Sequence, residues 1–232
     1  MTPTNLVAAR NIERLLSLLP RDDPLVLVIG GGTEGNGVGA LYTQDRARVL
    51  AFDIYGSELT QFIADAHRVP LTDGCVDAVV IQAVLEHVLE PSRVVAEIHR
   101  VIKHQGLVYA ETPFLQQVHA GPYDFARFTS SGHRYLFRHF EEISAGVVAG
   151  PATALVWSVE HMVRGLVRSQ TAGRIARLAL QWIRLLDRFI PERYAMDSAS
   201  AHYFLGRRSD HAISAAEIVS YYRGAQRPPP VD

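Results

Sequence analysis

The chain has 232 residues, 48% of them hydrophobic and 20% charged, with a formal net charge of −1. That length suits one sizeable core, the balance is that of a globular domain, and nothing in the bulk charge suggests a nucleic-acid partner. The single cysteine, Cys75, excludes an internal disulfide framework and a Cys-cluster zinc site, and a reducing compartment is the simplest setting.

Met1 to Pro20 carries Arg10, Glu13 and Arg14 among apolar residues. It lacks the pattern of a signal peptide and reads as an amphipathic helix capping a single domain, with a cytoplasmic location expected. No apolar run reaches the roughly 18–20 residues that span a bilayer. Leu25 to Ile29 is a continuous apolar run meeting a glycine cluster, which predicts a strand buried on both faces. A helix is predicted from near Gly35 through Val38 to Tyr42, a strand over Arg48 to Phe52 ending at Asp53, a short helix over Ser57 to Ala64, and a buried strand over Val76 to Ile81. Pro91 to Ile102 places Val94, Val95, Ile98 and Val101 at helical spacing; Gly106 should break that helix before a strand over Leu107 to Glu111. This alternation implies right-handed crossovers and a doubly wound α/β sheet.

The second half predicts a helix over Ser131 to Phe140, a strand over Ile143 to Val148 and a last strand at His202 to Leu205. Between the two strands lies an insertion, residues 152–198, read as two basic amphipathic helices with a break near Ser169 to Gly173. The tail from Arg227 to Asp232 is proline-rich and is expected to be disordered.

Gly30, Gly31 and Gly32 end the first strand, and with Gly35 they satisfy G-x-G-x-x-G. Glycines there permit a sharp turn and close approach of a ligand to the backbone. Asp53, at the end of the adjacent strand, suits the hydroxyls of a ribose. A ligand-free turn and a solvated aspartate are the plainer readings, and a nicotinamide dinucleotide is the alternative ligand. Glu34 puts a negative charge where a pyrophosphate would sit, which favours a ligand without phosphate.

The stretch from Asp65 to Val80 (DAHRVPLTDGCVDAVV) is followed by Val84-Leu85-Glu86-His87-Val88, by Glu97 to Lys103 with Gly106, and by Glu111-Thr112-Pro113. In order and spacing these resemble the class I S-adenosylmethionine-dependent methyltransferases, in their methyltransferase-11-type branch, over residues 20 to 148. The resemblance implies a Rossmann-like seven-stranded sheet, mostly parallel, with an antiparallel last strand. It implies that Gly30, Gly31 and Gly32 face the amino-acid end of S-adenosyl-L-methionine. Asp53 would hold the ribose with Ile54 beside it, Asp65 and the Ala66 backbone would read the adenine, and Gln82 would line the pocket beside the sulfonium. The family usually has an acid two positions before the first loop glycine, where Val28 stands, and its final loop glycine falls at Glu34.

His119 to Thr129 (HAGPYDFARFT) resembles an H-x-x-P-x-D-[FY]-x-R-[FY]-T segment in a bacterial subset of these enzymes. Three catalytic candidates follow: His119 to take a hydroxyl proton, Asp124 to orient it, and Arg127 to bind an anionic group. The plainer reading pairs Asp124 with Arg127 as a loop brace, with Thr129 capping the next helix. Glu86-His87 admits two readings, an acid/base pair close to the sulfonium or the start of a helix whose dipole suits Glu86; the structural one is favoured, and His133 reads as helix surface. No metal is expected. The leading function is methyl transfer to an oxygen of a small molecule or glycan. A non-catalytic partner or scaffold on the same fold and an NAD-binding oxidoreductase are the alternatives. The insertion is expected to act as a lid, a homodimer face or a membrane-surface patch over residues 152–190, the last fitting a lipid-linked glycan acceptor. A solvated arginine face over a buried apolar stripe is the plainer reading.

Overall fold

The structure, a computed structural model, describes residues 4–20 and 22–226; the proline-rich tail from Arg227 lies outside them. In chain order the elements are α1 (Leu6–Leu18), β1 (Leu25–Ile29), α2 (Ala40–Thr43), β2 (Arg48–Asp53), β3 (Phe62–Ile63), β4 (Val76–Gln82), α3 (Pro91–Val101), β5 (Ile102–Pro113), α4 (Ser130–Leu136) and β6 (Phe140–Ala149). They continue with α5 (Pro151–Val167), α6 (Gln170–Leu180), a 3-10 segment (Gln181–Phe189), α7 (Glu192–Met196), β7 (Ala201–Arg208) and α8 (Ala215–Tyr221). The seven strands form one sheet in the order β3-β2-β1-β4-β5-β7-β6. All pairs are parallel except those of β7, which is antiparallel to both β5 and β6. This is a Rossmann-like mixed sheet with helices on both faces.

The apolar runs explain the layering. Side chains alternate across a strand. Val26 and Val28 therefore pack with Ile12 and Leu15 of α1, while Leu27 and Ile29 pack with Val94, Ile98 and Val101 of α3. Val28 is thus a core residue of the α1 side, buried among Val38, Ala51 and Val80.

Several predicted boundaries differ; the helix expected to run to Phe140 ends at Leu136, and Phe140 opens β6. The helix expected from Gly35 starts only at Ala40. Gly37 sits at φ +87°, and a Cβ there would stand 2.3 Å from the Asn5 carbonyl oxygen, so α1 approaches too closely for a helix at this point. Ser57 to Ala64 is a turn followed by edge strand β3, not a helix. Phe62 pairs with Phe52 in register and stacks on its ring at 5.1 Å, an interaction that helical spacing would not supply. Helix α3 ends at Val101, and Gly106 lies within β5 rather than at the helix end.

The insertion separates β6 from β7 as expected, but much of its apolar surface is open. Leu166 is 76% exposed and Phe189 75%, and Ile175, Leu178 and Trp182 are also exposed. Val156 is buried, so only part of the predicted stripe reaches the core. No helix among the described residues is long and apolar enough to cross a membrane.

Candidate active site

The carboxyl ends of parallel strands β1, β2, β4 and β5 share one edge of the sheet, where α/β folds bind ligands. The glycine loop is held there by its backbone. The Gly30 and Gly31 amides donate to the Phe52 carbonyl at 3.0 and 2.9 Å. Gly30 has φ +77°, and a Cβ on it would lie 2.2 Å from Val84 Cγ2. Asp53 accepts from the Gly32 amide at 2.9 Å and from the Ile54 amide at 2.7 Å, one per carboxylate oxygen. These bonds fix the carboxylate and tie β2 to the loop after β1. Ile54 is 73% exposed beside it, and Tyr55 lies across Gly32.

Asp65 follows β3. It accepts from the His67 amide at 2.8 Å and from His67 Nδ1 at 2.6 Å, and these bonds hold its carboxyl below its ordinary range. Ala66 is buried. Gln82, at the end of β4, donates to the Asn36 carbonyl at 3.0 Å and to Glu111 Oε2 at 2.8 Å, and its own oxygen faces Gly35. Glu111 is buried at the end of β5, and desolvation raises its pKa. It also accepts from Asn5 Nδ2 at 3.0 Å and from the Tyr109 hydroxyl. Asn5 caps α1 by accepting from the Ala8 amide, so this network ties the N-terminal helix to the glycine loop and two strand ends. The sequence reading missed the Asn5–Glu111 link. Glu111 was in view as part of a motif, but nothing in the sequence signalled Asn5.

The chemistry of these groups fits S-adenosylmethionine. Asp53 is an acceptor-only group set at a strand end beside bare glycine backbone, as vicinal hydroxyls require. Glu34, Asp53 and Asp65 bring three carboxylates to this edge. That charge suits a ligand carrying a sulfonium and an ammonium and opposes a pyrophosphate.

The loop after β5 carries the remaining candidate residues, His119, Asp124 and Arg127. Arg127 pairs with both oxygens of Asp124, whose side chain is buried. The arginine also donates to the carbonyls of Gln116, Gln117 and Ala126 at 2.9, 3.2 and 2.7 Å. Its donors thus brace the loop, and the pairing holds the Asp124 carboxyl far below its ordinary range. Asp124 further accepts from the His119 amide at 2.9 Å, and its Oδ2 stands 3.4 Å from His119 Nδ1. Thr129 caps α4 through the Gly132 amide at 3.1 Å.

This loop docks on the segment after β4. The Phe125 amide donates to the Glu86 carbonyl at 2.8 Å, and His87 Nδ1 lies 2.6 Å from the Tyr123 carbonyl. The expected helix start at Glu86 is instead a 3-10 turn, Leu85–His87, and α3 begins at Pro91. Glu86 is 1% exposed, neither carboxylate oxygen has a hydrogen-bond partner among the described residues, and burial pushes its pKa up to about 7. His119 and His87 meet it there, and burial holds His119 below its ordinary range. His133, expected on the surface, is buried against Phe137 because α4 packs its histidine face onto the sheet.

Residues 27–110 match a family model described as a methyltransferase domain. None of the curated proteins compared matches the chain. Several solved structures are similar. The 1,6-didemethyltoxoflavin-N1-methyltransferase of Burkholderia thailandensis, solved with 1,6-didemethyltoxoflavin and S-adenosylhomocysteine bound, is 13% identical, with 89% of this chain and 78% of that chain covered and a TM-score of 0.55. A SAM-dependent methyltransferase from Archaeoglobus fulgidus is 13% identical, with 88% and 95% covered and a TM-score of 0.54. The (4+2)-cyclase SpnF is 14% identical, with 87% and 80% covered and a TM-score of 0.51. At these identities the likeness establishes a common fold. Residues 27–110 thus carry the sequence pattern of a methyltransferase domain, and the sheet they build is the Rossmann-like fold of these solved methyltransferases.

Proposed function

We propose that the chain binds S-adenosylmethionine at the glycine-loop edge and methylates an oxygen of a small molecule or glycan. The observation that carries this reading is the meeting, at one sheet edge, of the Gly32–Asp53 bond with a loop that holds His119 on a buried carboxylate. The glycine loop, Asp53 with Ile54, Asp65 with Ala66, and Gln82 would hold the cofactor. When bound, it supplies a methyl group on a sulfonium, which leaves the sulfur as a neutral thioether. The protein's own task is alignment and management of the acceptor's proton.

On the acceptor side the three residues take distinct roles. Arg127 is a positioning residue, since its donors already serve Asp124 and three carbonyls. Asp124 orients His119. His119, with Glu86 and His87 beside it, faces the acceptor hydroxyl and handles its proton. The insertion's exposed apolar residues, interleaved with Arg164, Arg168, Arg174 and Arg188, suit contact with an anionic membrane surface by charge complementarity. That setting fits a lipid-linked glycan acceptor.

The test is transfer of labelled methyl from S-adenosylmethionine to hydroxyl-bearing acceptors, sugars and lipid-linked sugars included. The expected product is a base-stable methyl ether. Label found only on nitrogen or sulfur acceptors would overturn the oxygen assignment. No transfer despite tight cofactor binding would favour a scaffold.

A further inference from the structure

Glu86, His87 and His119 come from two loops at the ends of neighbouring parallel strands β4 and β5. His87 Nε2 and His119 Nε2 are 3.2 Å apart, and Glu86 Oε1 is 3.8 Å from each. A triangle with those sides has a circumradius of about 2.1 Å, so one point lies at a metal–ligand distance from all three atoms.

The outer hydrogen bonds set the tautomers. His87 Nδ1 faces the Tyr123 carbonyl at 2.6 Å, and a carbonyl only accepts, so Nδ1 carries the proton. His119 Nδ1 faces the Gln117 carbonyl and Asp124 Oδ2, both at 3.4 Å and both acceptors. With the single proton on Nδ1, each ring turns a bare Nε2 lone pair toward the other. The third corner is a buried carboxylate with no hydrogen-bond partner among the described residues. Three converging lone pairs repel one another unless a proton or a metal cation sits among them, and a cation at the common point satisfies all three at once. Ligating histidines characteristically donate their other nitrogen to a carbonyl or carboxylate, as both do here.

We propose that Glu86, His87 and His119 form a binding site for a divalent transition-metal ion of the zinc type. The set is two imidazoles and one carboxylate, and with three protein ligands it leaves a coordination position open to water or an acceptor oxygen. Val84, two residues before Glu86, packs on Gly30, so the site adjoins the glycine loop. In its bearing on catalysis, though not in binding, the inference rests on the oxygen-directed reading above. A bound ion would acidify a coordinated acceptor hydroxyl, whose proton would pass to solvent water before methyl transfer, and His119 would then serve as ligand in place of the proton-handling role given to it above.

The experiment uses the full chain, stripped with chelator and titrated with Zn2+ against a chromophoric competitor, with Co2+ absorption reporting geometry. The expected result is one high-affinity equivalent per chain and a tetrahedral Co2+ spectrum. Affinity should fall about a hundredfold in Glu86→Gln and in His119→Gln, and remain unchanged in His104→Ala, whose imidazole lies by Asp210. The isosteric Glu86→Gln and the part-exposed His119→Gln guard against loss of fold, which circular dichroism checks. No binding by the intact protein, or equal binding by both ligand variants, overturns the site. S-adenosylhomocysteine binding is measured on the same stripped sample. Loss of the metal site with cofactor binding intact overturns this inference alone, and the converse overturns the function proposed above alone.

Discussion

His202 on β7 is 2% exposed and stacks on Phe114 at 5.6 Å. Desolvation by burial lowers its pKa to about 4, against about 6.5 in an unfolded chain. Above pH 6.5 both states hold the ring neutral, and its titration costs nothing. As pH falls through 6.5 the unfolded chain takes up a proton that the folded chain refuses until about pH 4, so stability is lost across that window. At pH 5 the separation amounts to about 1.5 pH units, or about 2 kcal/mol. The variant His202→Leu removes this group while keeping similar volume. Whatever the substitution costs at pH 8, the stability gap should move by about 2 kcal/mol in the variant's favour by pH 5. The comparison must be differential, because Glu86 and Glu111 are pushed upward and change stability in the opposite sense over the same range. Urea unfolding of both proteins at pH 8, 7, 6 and 5 reads the gap directly. Parallel curves would refute the argument that burial keeps this histidine neutral.

Other perturbations test the site's construction. Gly30→Ala forces a side chain into φ +77° and against Val84 at 2.2 Å, and should lower stability by about 2–4 kcal/mol in urea melts; wild-type stability would mean the loop is not held as described. Arg127→Met leaves the buried Asp124 carboxylate without its cation and should cost about 3 kcal/mol, with earlier proteolysis in residues 115–127; unchanged stability and cleavage would show that the pair is no brace. Sedimentation with anionic vesicles should carry the protein down at low salt, and Leu166→Glu with Phe189→Glu should abolish this; no pelleting of the intact protein would remove the membrane role of the insertion.

The sheet centre was legible because β1 is a continuous apolar run and β4 carries one from Ala78 to Ile81, both buried, and neither element needs a partner to be recognised. Edge strand β3 was not, because two residues carry no periodicity and Phe62 is fixed by pairing with a residue ten positions earlier. The delayed start of α2 depends on the approach of Asn5 to Gly37, a contact that no local pattern encodes. In the insertion the break at Ser169 was readable, since Ser169 caps α6, but the 3-10 winding of Gln181–Phe189 and its exposure were not. The loop carrying His119, Asp124 and Arg127 stood out by composition. Its meeting with Glu86 and His87 depends on the Phe125 amide reaching the Glu86 carbonyl across 39 residues of chain. The strand order offered a signal: loops that follow adjacent parallel strands emerge side by side, and both of these carry histidine.

The central claim is that the Gly30–Gly32 loop and Asp53 form an S-adenosylmethionine site. Calorimetric titration with S-adenosylhomocysteine, using Asp53→Ala as the paired variant, tests it most directly. The account predicts micromolar binding by the intact chain and its loss in the variant. No binding by the intact chain, or equal binding by both, would contradict it.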